Sequence, residues 1–533
     1  MTSIPTTTPV PAAARAAELR GRLVPPLPGS ALRGWLGPLL ITAFGGFLRF
    51  YRLGSPHAVV FDETYYVPDA YGILRHGAEI NHLKNVNSLL AHGSTAIFAG
   101  SGKASGEFVA HPPLGKILIA GGEWMFGLTP FGWRFAVAVV GTASILMLAR
   151  IARRMTRSTL LGCVAGLLLA LDGLELVLSR TAILDIFVMF WVLAAFGLLV
   201  VDRDRTRSAV AAAAAAAAGS GGAGAASGRV AGGLKLGIRW ARLLAGLCLG
   251  AACASKWNGI WFVPVFAVMA VAWDFGARRA AGFPRPGAGT ARSNAAGLPV
   301  AFGLLPLAAY LASWSGWFAG TDGYDRGWAA AHGNHVPLWS ALDSLYQYNK
   351  EMLQFGLGLT TTQTYKSQPW TWLYLGRPVS FFYTTPRTCG TSSCSREVLA
   401  IGTPLVWWAS IPVLIFCLAW WLSRRDWRAG AALAGLAAGW LPWFWFAWHD
   451  HRTMFYFYSV AFEPFVIIAI TLCLGLILGP AAAGTARRAT GAVVAGAFLL
   501  AVLADFAYIY PVLAARVLPY SSWFARMWFR SWI

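Results

Sequence analysis

Long apolar segments separated by short polar loops run through most of the chain. A helix needs roughly 20 mainly apolar residues to cross the hydrocarbon core of a bilayer. Two long polar stretches, 54–132 and 319–402, interrupt the series and are predicted to be large loops outside the bilayer. We therefore predict about eleven transmembrane helices, near residues 35–53, 133–150, 159–177, 182–201, 240–255, 257–274, 299–318, 403–422, 430–448, 454–478 and 489–511.

The basic residues lie mainly in the short loops, and they indicate how the chain crosses the membrane. When residues 1–34 are placed on the cytoplasmic side, the strongly basic short loops all fall on that side, as the positive-inside rule requires. The same alternation places both large loops, the turn around His451 and residues 512–533 outside the cell. The basic loops lie near 150–154, 203–242, 278–292, 424–428 and 487–488.

Composition indicates an all-α polytopic membrane protein and excludes a soluble one. Hydrophobic residues make up 57% of the 533 residues and charged residues 12%, with a mean hydropathy of +0.55. A soluble chain of this length cannot bury so much apolar surface. The net charge of +21 does not indicate nucleic-acid binding, because the Lys and Arg residues lie in short loops where they meet anionic lipid headgroups.

The chain divides into a disordered cytoplasmic tail over 1–34, a membrane domain over 35–511 and an outward-facing tail over 512–533. The first tail is rich in Pro, Ala and Thr, and it lacks the apolar core and cleavage site of a signal peptide. Within the membrane domain, residues 203–238 are predicted to be a cytoplasmic low-complexity linker, because the Ala and Gly run there is too weakly apolar for a membrane span.

The first large loop carries the clearest candidates for chemistry. Acidic residues are scarce in this chain, 22 against 43 basic ones, so the adjacent carboxylates of Asp62 and Glu63 need a reason. Further along the loop, His111 and Lys116 enclose a Pro-Pro-Leu-Gly segment ahead of a short apolar stretch, 117–126. We predict an interfacial helix there. A helix start at headgroup depth favours a phosphate.

Several polar residues fall at the predicted outer ends of helices, where an unpaired charge is costly. We expect Asp172, Arg180 and Asp185 to pair with one another or with a partner, and pairing is the favoured role of Asp185. Lys256 and Asn258 fit the same kind of turn or cap its helices. Two interpretations of Arg134 stay open: phosphate binding and ordinary snorkelling at the interface.

Two further groups lie in outward-facing segments. The turn 449–452, His-Asp-His-Arg, has metal-ligating residue types but no recognised ligand spacing, so we expect His451 and Arg452 to bind phosphate or sugar instead. Cys389 and Cys394 share a polar loop, and an oxidising compartment would allow them to form a disulfide.

An ordered series of motifs resembles the protein O-mannosyltransferases, membrane glycosyltransferases of the GT-C fold that use a polyprenyl-phosphate sugar. The series covers most of the chain, and the second large loop is too short for the inserted domain of the eukaryotic proteins, so the chain is most similar to a bacterial member. The matching motifs are Phe61-Asp62-Glu63, His111 to Lys116, Leu171-Asp172 with Ser179-Arg180 and Leu184-Asp185, Ser255 to Gly259, Trp370 to Leu373 with Arg377-Pro378, and His451 with Phe455 to Tyr458.

The resemblance implies an inverting transfer of mannose from polyprenyl-phosphate mannose to Ser or Thr hydroxyls of secreted or membrane proteins. Because a serine hydroxyl is a poor nucleophile, a carboxylate must take its proton. Asp62 is the predicted base, and Glu63 orients the acceptor or tunes Asp62, although the two roles are open to exchange. The leaving phosphate needs fixed cations. Arg134 is the first candidate, followed by Lys116, Arg180 and Arg377, with His111 and His451 as further phosphate or sugar ligands.

No cofactor and no metal are predicted, although some relatives with the GT-C fold use a divalent cation. Two other functions stay open. One is another GT-C transferase, of the arabinosyl or aminoarabinose type. The other is a lipid or sugar transporter, which would be expected to show internal repeats and mid-bilayer charges. The expected partners are the donor lipid, a Ser/Thr-containing polypeptide and membrane lipid, with the protein translocation machinery left open.

Overall fold

A computed structural model describes residues 12–98, 105–219, 234, 236–480 and 482–533, and helices make up most of them. The helices of the first half are α1 Ala12–Leu23, α2 Ala31–Phe50, α3 Glu63–His76, α4 Val86–Ala91, α5 Leu114–Phe126, α6 Pro130–Thr156, α7 Thr159–Ala170, α8 Gly173–Leu178, α9 Asp185–Gly219, α10 Trp240–Ser255, α11 Phe262–Ala280 and α12 Pro286–Asn294. A 3₁₀ turn, Trp257–Trp261, joins α10 to α11.

The second half continues with α13 Gly297–Pro299, α14 Leu305–Ser313, α15 Ser315–Ala319, α16 Trp328–Ala331, α17 Pro337–Gly358, α18 Pro404–Arg424, α19 Trp427–Trp448, α20 Glu463–Leu478, α21 Thr485–Leu513 and α22 Tyr520–Phe524. A π-helical segment, Val300–Leu304, leads into α14. Shorter 3₁₀ turns lie at Pro369–Thr371, Tyr456–Ala461 and Arg530–Trp532.

Every apolar segment predicted from the sequence contains a helix. Within the described ranges, six helices are long and apolar enough to cross a membrane, and a seventh candidate is a pair of helices bent by 53° around residue 295. Four shorter apolar helices fall at the remaining predicted positions: Gly34–Phe50, Thr159–Ala170, Trp240–Ser255 and Glu463–Leu478. The predicted all-α membrane architecture is confirmed.

Helix α9 is the central helix of the bundle. Its first half is apolar on all sides, which is typical of a helix enclosed by others, and most of its side chains between Asp185 and Val200 are buried. Helices α6, α10 and α11 pack against it. Asp185, its first residue, therefore lies at a fixed point in the middle of one end of the bundle.

The structure differs from two predictions about segments outside the membrane. Residues 203–219, assigned to a linker, continue α9 as a helix, because alanine has the highest helix propensity of all residues. Residues 12–23, assigned to a disordered tail, form α1, which packs on α9. Leu23 of α1 is buried in a small apolar cluster with Val210, and this burial stabilises the helix. The rest of the predicted linker and tail lies largely outside the described residues.

The second large loop contains a small antiparallel sheet that was not predicted. Strands β1 Val379–Thr384 and β2 Cys394–Ala400 pair with each other, and β3 Val517–Pro519 pairs with β2. The Cys389–Cys394 disulfide closes the turn between the first two strands. Because β3 belongs to the C-terminal segment, that segment lies on the same side of the bundle as the second large loop.

The first large loop folds back onto the outer end of the bundle. Helices α3 and α5 pack on each other, and α5 packs on α6. Helix α5 includes the predicted interfacial segment and has two distinct faces: Lys116 and Glu123 are buried, whereas Trp124 is 74% exposed. That amphipathic pattern is typical of a helix lying in the membrane interface.

Candidate active site

Asp62 lies in the turn that leads into α3. The preceding residue, Phe61, has a backbone φ of 51°, which bulky side chains rarely adopt. Its ring stacks on Phe381, with centroids 4.4 Å apart, and meets the edge of Phe457 at 5.6 Å. Packing of this aromatic side chain thus holds the turn in an unusual conformation and fixes where the Asp62 carboxylate is presented.

The Asp62 carboxylate is half-buried and makes no hydrogen bond to any of the described residues, although it occupies the position that usually caps a helix. Burial raises its pKa from 3.8 to about 7; the Lys256 ammonium opposes the shift and the Asp185 carboxylate adds to it. A carboxylate with free oxygens and a pKa near neutrality has the properties of a general base.

Glu63 differs from Asp62, because its carboxylate is fully buried and both of its oxygens accept hydrogen bonds. Its carboxylate accepts Arg134 Nε at 2.7 Å and Arg134 Nη2 at 2.8 Å. The backbone N–H groups of Val60 and Ala182 donate to it at 2.8 and 3.0 Å. Glu63 therefore ties the turn to α6 and to the segment before α9, and this geometry does not fit the predicted acceptor-orienting role.

Arg134 is likewise fully engaged. Besides the two bonds to Glu63, its guanidinium donates to the main-chain oxygens of Leu53, Pro56 and Ala58 at 2.8–3.3 Å. A guanidinium has five N–H donors, so none is left for a phosphate. The predicted phosphate-binding role of Arg134 does not fit the structure, and neither does snorkelling, because the side chain is only 1% exposed.

Lys256 and Asp185 form a buried ion pair beside Asp62. The ammonium lies 2.8 and 3.0 Å from the two Asp185 oxygens and 4.6 Å from the centre of the Tyr458 ring. Asp185 thus has a pairing role, but its partner is Lys256 and not Asp172 or Arg180. Asn258, two residues further on, has a buried side-chain oxygen with no hydrogen-bond partner among the described residues.

The two other charges expected at the outer turns are structural. Asp172 accepts the N–H of Leu174 at 2.8 Å and the indole N–H of Trp407 at 2.9 Å, so it caps α8 and binds it to α18. Arg180 donates to four main-chain oxygens at or just beyond the end of α2, those of Leu48, Arg49, Tyr51 and Arg52. Such carbonyls are the natural partners of a cation at a helix C-terminus, so the predicted phosphate role of Arg180 does not fit.

Lys116 is buried in an acidic cluster that includes Asp69 of α3. Its ammonium lies 2.6 Å from Glu79 and 3.7 Å from Asp69, and it donates to the main-chain oxygen of His111. These carboxylates use its charge, so Lys116 does not fit the predicted phosphate role. Asp69 was missed, although it follows Asp62 by seven residues and so falls on the same helical face.

His111 lies between the two clusters. Its ring centre is 6.2 Å from that of Tyr66. Burial lowers its pKa well below 6.5, and the nearby cations Lys256, Lys116 and Arg452 lower it further. A neutral imidazole at this place can donate or accept one hydrogen bond but adds no charge.

Arg452 is the cation beside His111 that keeps a free donor. Its Nε donates to the main-chain oxygen of Gly356 at 2.7 Å, and its guanidinium lies 5.6 Å from the Trp443 ring centre. Its Nη1 is buried and has no partner among the described residues. A buried, unpaired N–H is costly, which points to a ligand atom at this position.

The remaining predicted ligands are further from this centre. The Arg377 guanidinium donates to the main-chain oxygens of Ile533 at 2.8 Å and Thr364 at 3.2 Å. His451 is exposed, and only its main-chain oxygen is bonded, to Lys366. Across the described ranges, no group of three or more His, Cys, Asp or Glu side chains is arranged to hold a metal ion.

Among the described residues, the geometry brings together one carboxylate without a hydrogen bond, Asp62, and three groups that can face an anion: Lys256, Arg452 and neutral His111. Fold comparison places this helical bundle in the GT-C fold class. A structure of the S. cerevisiae protein O-mannosyltransferase Pmt1–Pmt2 complex bound to its sugar donor matches 98% of this chain and 94% of that chain, with a TM-score of 0.70 and 14% identity.

Sequence comparison narrows the class. The profile of the family described as dolichyl-phosphate-mannose-protein mannosyltransferase matches residues 39–236, and the C-terminal four-span region of protein O-mannosyltransferase matches 341–532. The polyprenol-phosphate-mannose–protein mannosyltransferase of Mycobacterium tuberculosis is 40% identical over 95% of this chain and 93% of its own length. That of Mycolicibacterium smegmatis is 38% identical over the whole of both chains. The chain belongs to the protein O-mannosyltransferase family.

Proposed function

We propose that this protein transfers mannose from polyprenyl-phosphate mannose to Ser or Thr hydroxyls of polypeptides, with Asp62 as the general base. The observation that carries the proposal is the Asp62 carboxylate: half-buried, without a hydrogen bond, and with a pKa of about 7. The donor is the one named for the curated relatives. The acceptor follows from the chemistry, because a carboxylate base serves a hydroxyl that cannot ionise by itself.

The transfer needs one base and one stabilised leaving group. The acceptor oxygen attacks C1 of mannose while its proton passes to Asp62, and the bond from C1 to the phosphate oxygen breaks. The product lipid phosphate keeps the electron pair of that bond, and Asp62 later releases its proton to water. A single displacement of this kind inverts the configuration at C1.

Arg452 and Lys256 stabilise the negative charge that develops on the leaving phosphate. Arg452 has the unpaired, buried N–H, and Lys256 donates to both oxygens of Asp185 and has a third N–H donor. Fixed cations in a site from which water is excluded stabilise a leaving anion far more than the same charges do in water. His111 donates a neutral hydrogen bond, and Glu63 acts indirectly by fixing the turn that presents Asp62.

An apolar groove beside Lys256 is suited to the first isoprene units of the donor. It has a volume of about 400 Å³ and begins at Trp257, the residue after Lys256. Phe302, Pro306 and Leu307 form its far wall, and Leu307 is 54% exposed on the side that would face lipid. A phosphate at Lys256 would therefore have its lipid chain leave directly into apolar surroundings.

The proposed site faces outward at the cell membrane, so its acceptors are polypeptides outside the cytoplasm. The orientation rests on the distribution of basic loops. Acceptors arriving during export would make the protein translocation machinery a partner. The second large loop and its sheet, next to Phe61 through Phe381, are the surface that an extended acceptor would meet first.

Transfer by the purified protein tests the proposal. The protein in lipid vesicles is incubated with polyprenyl-phosphate mannose labelled in the sugar and with a Ser/Thr-rich peptide. We expect labelled peptide, and none with a matched peptide in which Ala replaces every Ser and Thr. Transfer from an arabinosyl or aminoarabinose lipid phosphate, with none from the mannose donor, would contradict the proposed sugar. Donor uptake into vesicles without transfer would contradict the enzyme.

A further inference from the structure

A second groove, with a volume of about 880 Å³, runs along α11 from Pro264 to Arg279. Its arginine-lined end, remote from Asp62, is formed by the middle of α9, the end of α11 and the adjoining ends of α18 and α19. All three of the long helices that form it begin or end near the active site. Arg203 follows Asp185 by eighteen residues of α9, which at 1.5 Å per residue is about 27 Å. The groove is therefore separate from the site where sugar is transferred.

The rim of this groove carries positive charge only. Four arginines line it, Arg203, Arg207, Arg279 and Arg425, and none of the described residues that line it is acidic. Arg279 and Arg425 are exposed and make no ion pair within the described part of the chain. A cluster of arginines at the headgroup level of a membrane protein is the pattern that binds anionic lipid headgroups.

Arg203 is a buried cation of the groove with an unpaired donor. Its guanidinium is stacked 3.4 Å from the centre of the Trp427 ring and 5.8 Å from that of Trp273, and its side chain is only 5% exposed. Its Nε is buried and has no partner among the described residues. Nη1 donates to Asp204 Oδ1 at 3.4 Å, and the other oxygen of that carboxylate accepts two other arginines.

Those two competing arginines take most of the charge of Asp204. Arg157 donates to it at 2.8 Å and Arg154 at 3.0 Å. One carboxylate shared by three guanidinium groups leaves an excess of two positive charges beside the groove. A buried cation whose counter-ion is shared is costly, and an anion supplied from outside the chain would complete its pairing.

The walls of the groove are apolar and open toward the surrounding lipid. They are formed by side chains such as Val265, Val268 and Phe275 of α11 and Ala434 of α19. Val268 is 69% exposed and Phe275 is 38% exposed. Arginines at one end and an apolar channel running toward the membrane interior match a phosphate headgroup with an attached acyl chain.

We infer that this groove binds an anionic phospholipid of the membrane leaflet opposite to the active site, with its phosphate between Arg203 and the rim arginines and one acyl chain along α11. The Trp273, Trp421 and Trp427 rings enclose the headgroup region, as aromatic residues do at membrane interfaces. The donor lipid is not the occupant, because its phosphate belongs at the other end of the same helices.

Lipid binding to the full-length protein tests the inference. The purified protein is reconstituted with a photoreactive phosphatidylglycerol at low mole fraction in phosphatidylcholine vesicles, and the labelled peptides are identified by mass spectrometry. We expect crosslinks in 265–279 and 421–434, and competition by unlabelled phosphatidylglycerol but not by inorganic phosphate. The double variant Arg279→Gln/Arg425→Gln removes two exposed charges, so we expect about a tenfold or greater loss of labelling.

A matched control removes the same charge on the same face of the membrane. Arg424 and Arg488 are exposed and do not line the groove, so Arg424→Gln/Arg488→Gln should label like the unchanged protein. Equal losses in the two double variants would overturn the inference, because the effect would then be general charge. Displacement by polyprenyl phosphate in preference to phosphatidylglycerol would also overturn it and assign the groove to the donor lipid. Arg203→Lys tests the buried position without removing its charge.

Discussion

The ionisation of Asp62 should govern the pH dependence of sugar transfer. A general base works only when ionised, and burial raises the pKa of this carboxyl to about 7. At that pKa roughly one tenth of the enzyme carries the ionised base at pH 6 and roughly nine tenths at pH 8, so kcat/KM should rise about tenfold between these values. A carboxyl with its ordinary value of 3.8 would give a flat profile over the same range.

The assay measures initial rates of transfer from labelled polyprenyl-phosphate mannose to a Ser/Thr peptide in vesicles buffered from pH 5 to 9. Neither substrate titrates in this range, because a phosphodiester ionises far below it and an aliphatic hydroxyl far above it. Burial and the nearby cations lower the pKa of His111 well below 6.5. Donor binding measured at each pH separates loss of the base from loss of affinity.

A flat profile between pH 6 and pH 8 would refute the reasoning, because the environment of Asp62 would then not resemble the one described here. A rate that falls as pH rises through 7 would refute it more strongly, since it would require an acid in the role given to Asp62. Asp62→Glu serves as the control: it keeps a carboxylate, so we expect reduced activity with a displaced midpoint and not complete loss.

Three further predictions address the residues around the base. Glu63→Gln leaves the Arg134 guanidinium buried without its carboxylate, so we expect a loss of about 3 to 5 kcal/mol in stability, seen as a lower unfolding temperature. The double variant Glu63→Gln/Arg134→Met should recover part of that stability. An unchanged unfolding temperature in Glu63→Gln would contradict the structural role of Glu63. Arg452→Ala removes a hydrogen-bond donor to the lipid phosphate, so KM for polyprenyl-phosphate mannose should rise about tenfold or more. Arg452→Lys should retain part of the affinity. An unchanged KM in Arg452→Ala would exclude Arg452 as a phosphate ligand. Lys256→Met removes the cation that opposes the raised pKa of Asp62, so the midpoint of the pH profile should move upward, and a downward shift would show that Lys256 acts differently.

The sequence was sufficient to predict a helix in each apolar segment and to single out the adjacent acids Asp62 and Glu63 as candidates. Apolar length and basic loops locate each helix, because the bilayer constrains both directly. The adjacent acids Asp62 and Glu63 stand out in a chain that is poor in acids. The sequence alone does not show which of the two carboxylates lacks a hydrogen-bond partner. That depends on Arg134, some seventy positions further along the chain.

The sequence does not show which of the predicted phosphate ligands are already paired within the fold, because that pairing is long-range. Lys116 and Arg180 are near the right surface, but each is used by partners that the sequence does not bring together: Glu79 for Lys116, and the end of α2 for Arg180. Lys256 was treated as a supporting residue, although Asp185 holds it beside the base. Which of these cations can bind the phosphate depends on which of their N–H donors remain unpaired in the fold.

Two structured segments were missed for local reasons. Strands β1 and β2 lie in a loop where Thr, Ser and Arg residues dilute the alternating pattern that predicts strands, and β3 is contributed by the distant C-terminal segment. The continuation of α9 past residue 203 is a run of alanine that looks like low complexity. High helix propensity explains it, whereas hydropathy alone does not.

The central claim is that Asp62 takes the proton of the acceptor hydroxyl, and substitution of its carboxylate tests this most directly. Transfer and donor binding are measured side by side for the unchanged protein, for Asp62→Asn, and for Asp450→Asn, which changes an acid of the turn 449–452 whose side chain has no hydrogen bond or ion pair among the described residues. We predict that Asp62→Asn lowers kcat by about 10² to 10⁴ while still binding polyprenyl-phosphate mannose, and that Asp450→Asn transfers normally. Transfer by Asp62→Asn at a rate near that of the unchanged protein would contradict the account.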